Sequence, residues 1–219
     1  VTSRDAERPL RADAALNRSK VLDAAKQVFA IRGLDVSLEE IAAAAGVGVT
    51  TVTRRFADRD ALVETLFEEE LAANVEAAKI ALTAADAGDG LAGFLRSLFR
   101  RAATDRGIAQ VILSARYGYG GVAARRQELT RMIFELVERA REHGQLRDGV
   151  SAGDIPIMML MIGSVADFSA ETNTDLWERY SDVLIESVVP SGHHNIWSGT
   201  ALSRTQLTRA MAKWRHRPL

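Results

Sequence analysis

Cysteine is absent from the 219 residues, which excludes disulfides and thiolate metal sites. Proline is scarce too, at 4 residues, so little interrupts a helical pattern. Neither charge sign is in excess, with 28 Lys and Arg against 29 Asp and Glu. A strongly basic nucleic-acid-binding domain is therefore ruled out, and any contact with phosphate must come from locally placed charge. The longest apolar run, Ile155 to Ala166, holds about twelve residues and is too short to span a bilayer. The opening residues are polar and carry no apolar signal region, so the protein is expected to be soluble and cytoplasmic, with no membrane partner. The sequence has no H-E-x-x-H, G-x-S-x-G or G-x-x-x-x-G-K, and no catalytic constellation or cofactor is expected. His193 and His194 are adjacent loop residues, which rarely chelate one ion together, so no metal is expected either.

What remains is helix after helix, with no convincing strand and no internal repeat; the fold class expected is all-α. Residues 1–16, with Arg4, Arg8, Arg11 and Pro9, read as a flexible arm that could enter a minor groove or simply remain solvated. A first helix is expected from Asn17, as N-cap, to Arg32, with Val21, Leu22, Ala25, Val28 and Phe29 as its apolar stripe. Asp58 should cap a long helix that runs to about Asp86, and Gly88 to Gly90 reads as a loop. Helices then follow over Leu91 to Thr104, Gly107 to Arg116 and Val122 to His143, with Tyr117 to Gly121 as a turn. Ile155 to Ala170 is apolar nearly all round, so both of its sides are expected to be buried. Asn173 or Thr174 should cap a helix to about Val189, and Ser203 one over 203–217.

One stretch organises the rest. Ser37 to Phe56 reads S-L-E-E-I-A-A-A-A-G-V-G-V-T-T-V-T-R-R-F. Ser37 followed three residues later by Glu40 is the pattern of a capping box. Leu38, Ile41, Ala42 and Ala45 recur at helical spacing, and Gly46 supplies the left-handed stop. A second short helix places Val49, Val52 and Phe56 on one face and Thr50, Thr51, Thr53, Arg54 and Arg55 on the other. Hydroxyls and guanidinium groups on one face suit phosphates and base edges. The pattern predicts a helix-turn-helix; its bland counterpart is a plain helical hairpin inside a bundle. Charge contrast points the same way: residues 1–60 hold 10 basic and 9 acidic side chains, whereas residues 61–90 hold 1 and 7. The acidic segment should point away from DNA.

From Arg18 to Leu71 the chain resembles the TetR family of bacterial transcriptional regulators. The resemblance is carried by V-L-D-A-A-K-Q-V-F-A-I-R-G-L-D (Val21 to Asp35), by Ser37 to Val52, by R-R-F (Arg54 to Phe56) and by D-R-D-A-L-V (Asp58 to Val63). The segment Thr200 to Ala212 is also similar to the tail of many actinobacterial-type members. The resemblance implies a three-helix DNA-binding domain at residues 17–64 and a larger helical ligand-binding and dimerisation domain at 65–219. It makes Val49 to Phe56 the recognition helix, with Gly48, Thr50 and Thr51 at its N-terminal end and Arg54 and Arg55 on phosphate or a base. Ser37 would bond a phosphate, and Arg59 stands where the family usually has a phosphate-contacting Lys. The family commonly has Tyr where this chain has Thr53, which puts the details of recognition in doubt.

The partners so implied are double-stranded operator DNA, a second copy joined through helices near 152–170 and 174–189, and a small-molecule inducer. The expected function is a dimeric repressor released by that inducer; the alternative is a helical homodimeric binding protein without operator binding. Candidate pocket walls are Phe94, Phe99, Tyr117, Met132, Leu136, Met158, Met161, Asp167 and Trp177, although aromatic residues and Met at helical spacing are more often plain core.

Overall fold

The structure is a computed structural model that describes residues 4–114, 116, 119–190, 198 and 200–213, with the backbone alone for 4–17 and 213. The expected turn residue Tyr117, the His193–His194 pair and the end of the expected terminal helix lie outside the described residues. Those described form α-helices and no strand: α1 (Arg4–Arg32), α2 (Leu38–Ala45), α3 (Val49–Thr53), α4 (Arg59–Leu82), α5 (Ala87–Thr104), α6 (Arg106–Leu113), α7 (Gly120–Glu142), α8 (Asp154–Ser169), α9 (Leu176–Val188) and α10 (Arg204–Lys213). None is long and apolar enough to cross a membrane.

Two compact units emerge, Val1–Glu70 with Asp105–Ala124 and Leu71–Thr104 with Arg125–Leu219. In the first, α1 packs against α2 and α6, and α2 against α3. Val21, Ala25, Phe29, Leu34, Val36, Ile41, Ala42, Val52, Phe56, Leu62, Val63, Phe67, Ile108 and Val111 are buried. The Phe29 and Phe67 rings lie 6.1 Å apart, tilted by 38°. Beneath them is Gly107, where a Cβ would come within 2.9 Å of Phe67 and 3.0 Å of Phe29. In the second unit α5 packs against α8 and α9, and α8 against α9.

Several helix limits differ from the sequence expectation. Asn17 is not an N-cap, since α1 starts at Arg4; alanines and leucines between Ala6 and Leu16 favour continuation of the helix. The helix expected over Val49 to Phe56 stops at Thr53, because the N–H groups of Arg55 and Phe56 both turn back to the Val52 carbonyl at 2.9 Å and lower Phe56 into the core. Asp58 does cap α4, its Oδ1 accepting the Ala61 N–H at 2.8 Å. That helix ends at Leu82, and Gly88 to Gly90 lie within α5 and not in a loop. Asp86 caps α5 by accepting the Asp89 N–H at 2.8 Å. Gly90 serves close approach and not a turn: a Cβ there would lie 2.5 Å from the Ala81 carbonyl oxygen.

The apolar helix α8 is also buried on one side only. Ile155, Met159, Ile162 and Ser169 are covered, but Ile157 and Met161 are 57% and 50% exposed. The described residues supply neighbours for a single face of that helix. The helix α9 starts after Asp175; Asn173 Oδ1 accepts the Asp175 N–H at 3.1 Å and so shapes the turn before the helix. Ser203 caps α10 as expected, accepting the Gln206 N–H at 3.3 Å while Gln206 Oε1 accepts the Ser203 N–H at 2.9 Å.

Two glycines in α5 separate these effects. Gly90→Ala forces backbone apart and should lower stability by about 1–3 kcal/mol. Gly93→Ala meets nothing within 4 Å and should raise stability by up to about 1 kcal/mol through helix propensity. Thermal unfolding followed by circular dichroism checks both; a Gly90→Ala protein as stable as the parent would contradict the packing described.

Candidate functional site

The helix-turn-helix is fixed from its first residue. Ser37 is extended (φ −80°, ψ 160°), its Oγ accepts the Glu40 N–H at 3.2 Å, and Glu40 Oε2 accepts the Ser37 N–H at 2.8 Å. Both halves of the capping box are therefore present. The Ser37 hydroxyl proton is not used by that box and can be donated outward. Arg32 donates to Glu40 Oε1 at 2.6 Å and holds the box from α1. The Glu40 carboxyl is held below its ordinary value of 4.5, first by the Ser37 N–H and then by Arg32.

Gly46 closes α2 in the left-handed region (φ 65°), which an L side chain adopts only with strain. Gly48 then opens α3 from an extended backbone with no side-chain cap. Val52 and Phe56 anchor α3 in the core, while Val47 and Val49 are half-buried. This anchoring turns the opposite face outward: Thr50, Thr53, Arg54 and Arg55 are exposed and Thr51 is half-exposed. Thr50, Thr51, Thr53 and Arg54 line one open depression of the surface. The structure thus brings together four of the residues singled out in the sequence. Arg55 continues the exposed face past the end of α3, and Gly48 adjoins it.

Thr53 has a distinctive polarity. Its hydroxyl donates back along the helix toward the Val49 and Thr50 carbonyls, at 3.3 and 3.5 Å. That leaves the oxygen's lone pairs, and not its proton, for an outside partner. Arg54 and Arg55 supply forked donors of the kind that match guanine O6/N7 or a phosphate.

Arg59, in the first turn of α4, is tied to the head by Asp35, Nη1 to Oδ1 at 3.5 Å. Asp35 lies two residues before Ser37 and also takes Arg116, Nη2 to Oδ1 at 3.7 Å. Sequence reading missed Asp35 and Arg116 as neighbours of this region, along with two supports for it. Gln110 Oε1 accepts the Leu34 N–H at 2.6 Å, and the Glu64 carboxylate accepts the N–H groups of Tyr119 and Val122 at 3.0 and 2.9 Å. These contacts join residues 55 to 81 positions apart, and no local pattern announces them.

The candidate pocket residues are dispersed. Phe94, Phe99, Leu136 and Trp177 are buried, Met132 and Met158 are half-buried, Met161 and Asp167 are exposed, and Tyr117 lies outside the described residues. A polar open depression lies at the α8–α9 corner, lined by residues that include Glu171, Asn173, Asp175 and Gln206; none of the candidate pocket residues borders it. Among the described residues no group of three His, Cys, Asp or Glu is placed to hold a metal ion.

Residues 21–66 match the family model described as bacterial regulatory proteins, tetR family, and residues 86–188 match that of the transcriptional regulator SbtR-like C-terminal domain. No curated protein matches the sequence. Among solved structures, the TetR transcription regulatory protein from Mycobacterium vanbaalenii is 31% identical, over 83% of this chain and 99% of that one, with a TM-score of 0.47. A gamma-butyrolactone receptor (ArpA-like protein) is 15% identical over 93% of this chain and 100% of its own, with a TM-score of 0.57. FadR from Bacillus subtilis, solved in complex with stearoyl-CoA, is 18% identical over 78% and 98%, with a TM-score of 0.53. The last two similarities concern the fold.

The capping box gives a measurable pH dependence. Because the folded protein depresses the Glu40 pKa, the stabilisation is present above the ordinary carboxylate range and is lost as pH falls through the depressed value. Between about pH 5 and about pH 3 the melting temperature of Glu40→Gln should therefore fall less than that of the parent. Ser37→Ala should cost about 1 kcal/mol at neutral pH. Identical acid profiles for parent and Glu40→Gln would remove the box from the stability of the head.

Proposed function

The chain belongs to the TetR family of bacterial transcriptional regulators, and on that premise we propose that it is a dimeric repressor that binds a pseudo-palindromic operator and is released by a small-molecule inducer. It is a DNA-binding regulator and not an enzyme. The observation that carries the reading is the outward face of α3, where three threonines and Arg54 line one depression while Val52 and Phe56 hold the helix down. In this reading Thr50 and Thr51 enter the major groove, with Thr53 beside them and Gly48 allowing close approach to the backbone. Arg54 and Arg55 reach guanine or phosphate, and Ser37 and Arg59 bond phosphates on either side.

Dimerisation is assigned to α8 and α9, supported by the exposed apolar side chains of Ile157, Met161 and Tyr180. A two-fold dimer sets the recognition helices about one helical turn apart, roughly 34–36 Å, and so reads a pseudo-palindrome. The inducer binds in the second unit, whose apolar interior includes Phe94, Phe99, Leu136 and Trp177. It releases DNA only if it binds the two states of the dimer with different affinity. The protein acts in the cytoplasm, where its operator is.

Removing both guanidinium groups tests the DNA arm. Arg54→Ala/Arg55→Ala should weaken binding to a duplex selected by the parent from a randomised pool by at least about tenfold, and flatten its salt dependence. Gel shift across a salt series reads this; equal affinity would take both arginines out of the interface. Met161→Glu, which places a charge on the exposed face of α8, should shift sedimentation from dimer toward monomer. An unchanged dimer would move the contact elsewhere.

A further inference from the structure

We propose that Arg116, which lies in the link between α6 and α7 and outside the helix-turn-helix, is part of the DNA-contact surface and neutralises an operator phosphate next to Ser37 and Arg59. The proposal rests on the operator-binding reading above and adds to it a contact from a distant part of the chain.

Placement comes first. Asp105–Ala124 belongs to the same compact unit as the helix-turn-helix. Within it, contacts to the head are made by α6 before Arg116 and at the start of α7 after it. Six residues earlier, Gln110 accepts the Leu34 N–H at 2.6 Å. Gly33 makes that approach possible: its φ of 76° is left-handed, and a Cβ there would lie 2.7 Å from Gln110 Oε1. Three residues later, Glu64 accepts the Tyr119 N–H at 3.0 Å and, with its other oxygen, the Val122 N–H at 2.9 Å. Arg116 itself meets the head through Asp35, Nη2 to Oδ1 at 3.7 Å.

Charge comes second. Arg116 Nη2 and Arg59 Nη1 approach the same Oδ1 of Asp35, at 3.7 and 3.5 Å. Asp35 by itself, two residues from Ser37, would repel a phosphate. Two guanidinium groups at one carboxylate oxygen offset that repulsion. The two cations differ in access: the Arg116 side chain is 68% exposed and that of Arg59 is 31% exposed. The more open of the pair is therefore the one supplied by the link. In a head where basic and acidic side chains nearly balance, one such cation is a large share of the available electrostatic attraction.

The competing role for Arg116 is neutralisation of Asp35 alone, and the salt dependence of binding separates the two. The test uses the full-length protein and a duplex selected by the parent from a randomised pool, with affinity measured by fluorescence anisotropy from about 50 to about 200 mM salt. Arg116→Ala should weaken binding severalfold at low salt and reduce the slope of log K against log salt by about 0.9 per protomer. Arg116→Lys should keep the slope, and the melting temperature of both variants should match the parent. The loss should persist in an Asp35→Asn background, where there is no carboxylate left to neutralise. An unchanged slope in Arg116→Ala, or a loss that vanishes beside Asp35→Asn, overturns the proposal. If the parent itself shows no salt-sensitive binding to any duplex, the operator reading fails first and takes this proposal with it.

Discussion

The head depends on one packing event, the closure of Phe29 and Phe67 over Gly107. Three helices meet there: α1 supplies one ring, α4 the other, and α6 the glycine that lets them approach. A side chain at residue 107 would crowd the Phe67 ring at 2.9 Å and the Phe29 Cβ at 3.0 Å. The seat of α6 beside the helix-turn-helix goes with that closure. The closure presses α6 against α1, which brings Gln110 to the Leu34 N–H and sets the corner from which α2 begins. It also fixes the start of α4, and with it Arg59 and the Glu64 carboxylate.

On that base the outward face of α3 and its surroundings are assembled with little charge. The first sixty residues are almost neutral, so attraction to phosphate must be directional. Placement substitutes for quantity: Glu40 and Arg32 fix Ser37, Asp35 fixes Arg59, and the buried Val52 and Phe56 fix the orientation of α3. Thr53 is part of the same economy. With its proton turned inward, its hydroxyl is left as an acceptor and not a donor. A tyrosine at this position would present a phenol that could donate outward.

How much of this the sequence discloses depends on the range of the interaction. The capping box involves residues three apart, and its chemistry is legible as S-x-x-E; Gly46, Asp58 and Ser203 are read correctly for the same reason. Gly88 to Gly90 show where such reading stops. Glycine marks both turns and close approaches, and only the position of the Ala81 carbonyl distinguishes them. The apolar character of α8 is visible, but that its Ile157 side stays exposed among the described residues is not. Asp35, Gln110 and Arg116 are ordinary surface residue types whose meaning comes from partners far away in sequence.

The first unit is discontinuous along the chain, which bears on protein engineering. Regulators of this architecture invite chimeras in which one reading head is joined to another receptor. A cut after residue 70 would keep every residue of the helix-turn-helix but discard Gly107, Gln110 and the α6–α7 link. It would bare the Phe29 and Phe67 rings, leave the buried Leu34 N–H without its acceptor, and remove a cation beside Asp35. The transplantable module is two segments of chain, and a sensor grafted onto it must either carry its own copy of residues 105–124 or supply a helix that fits the same seat.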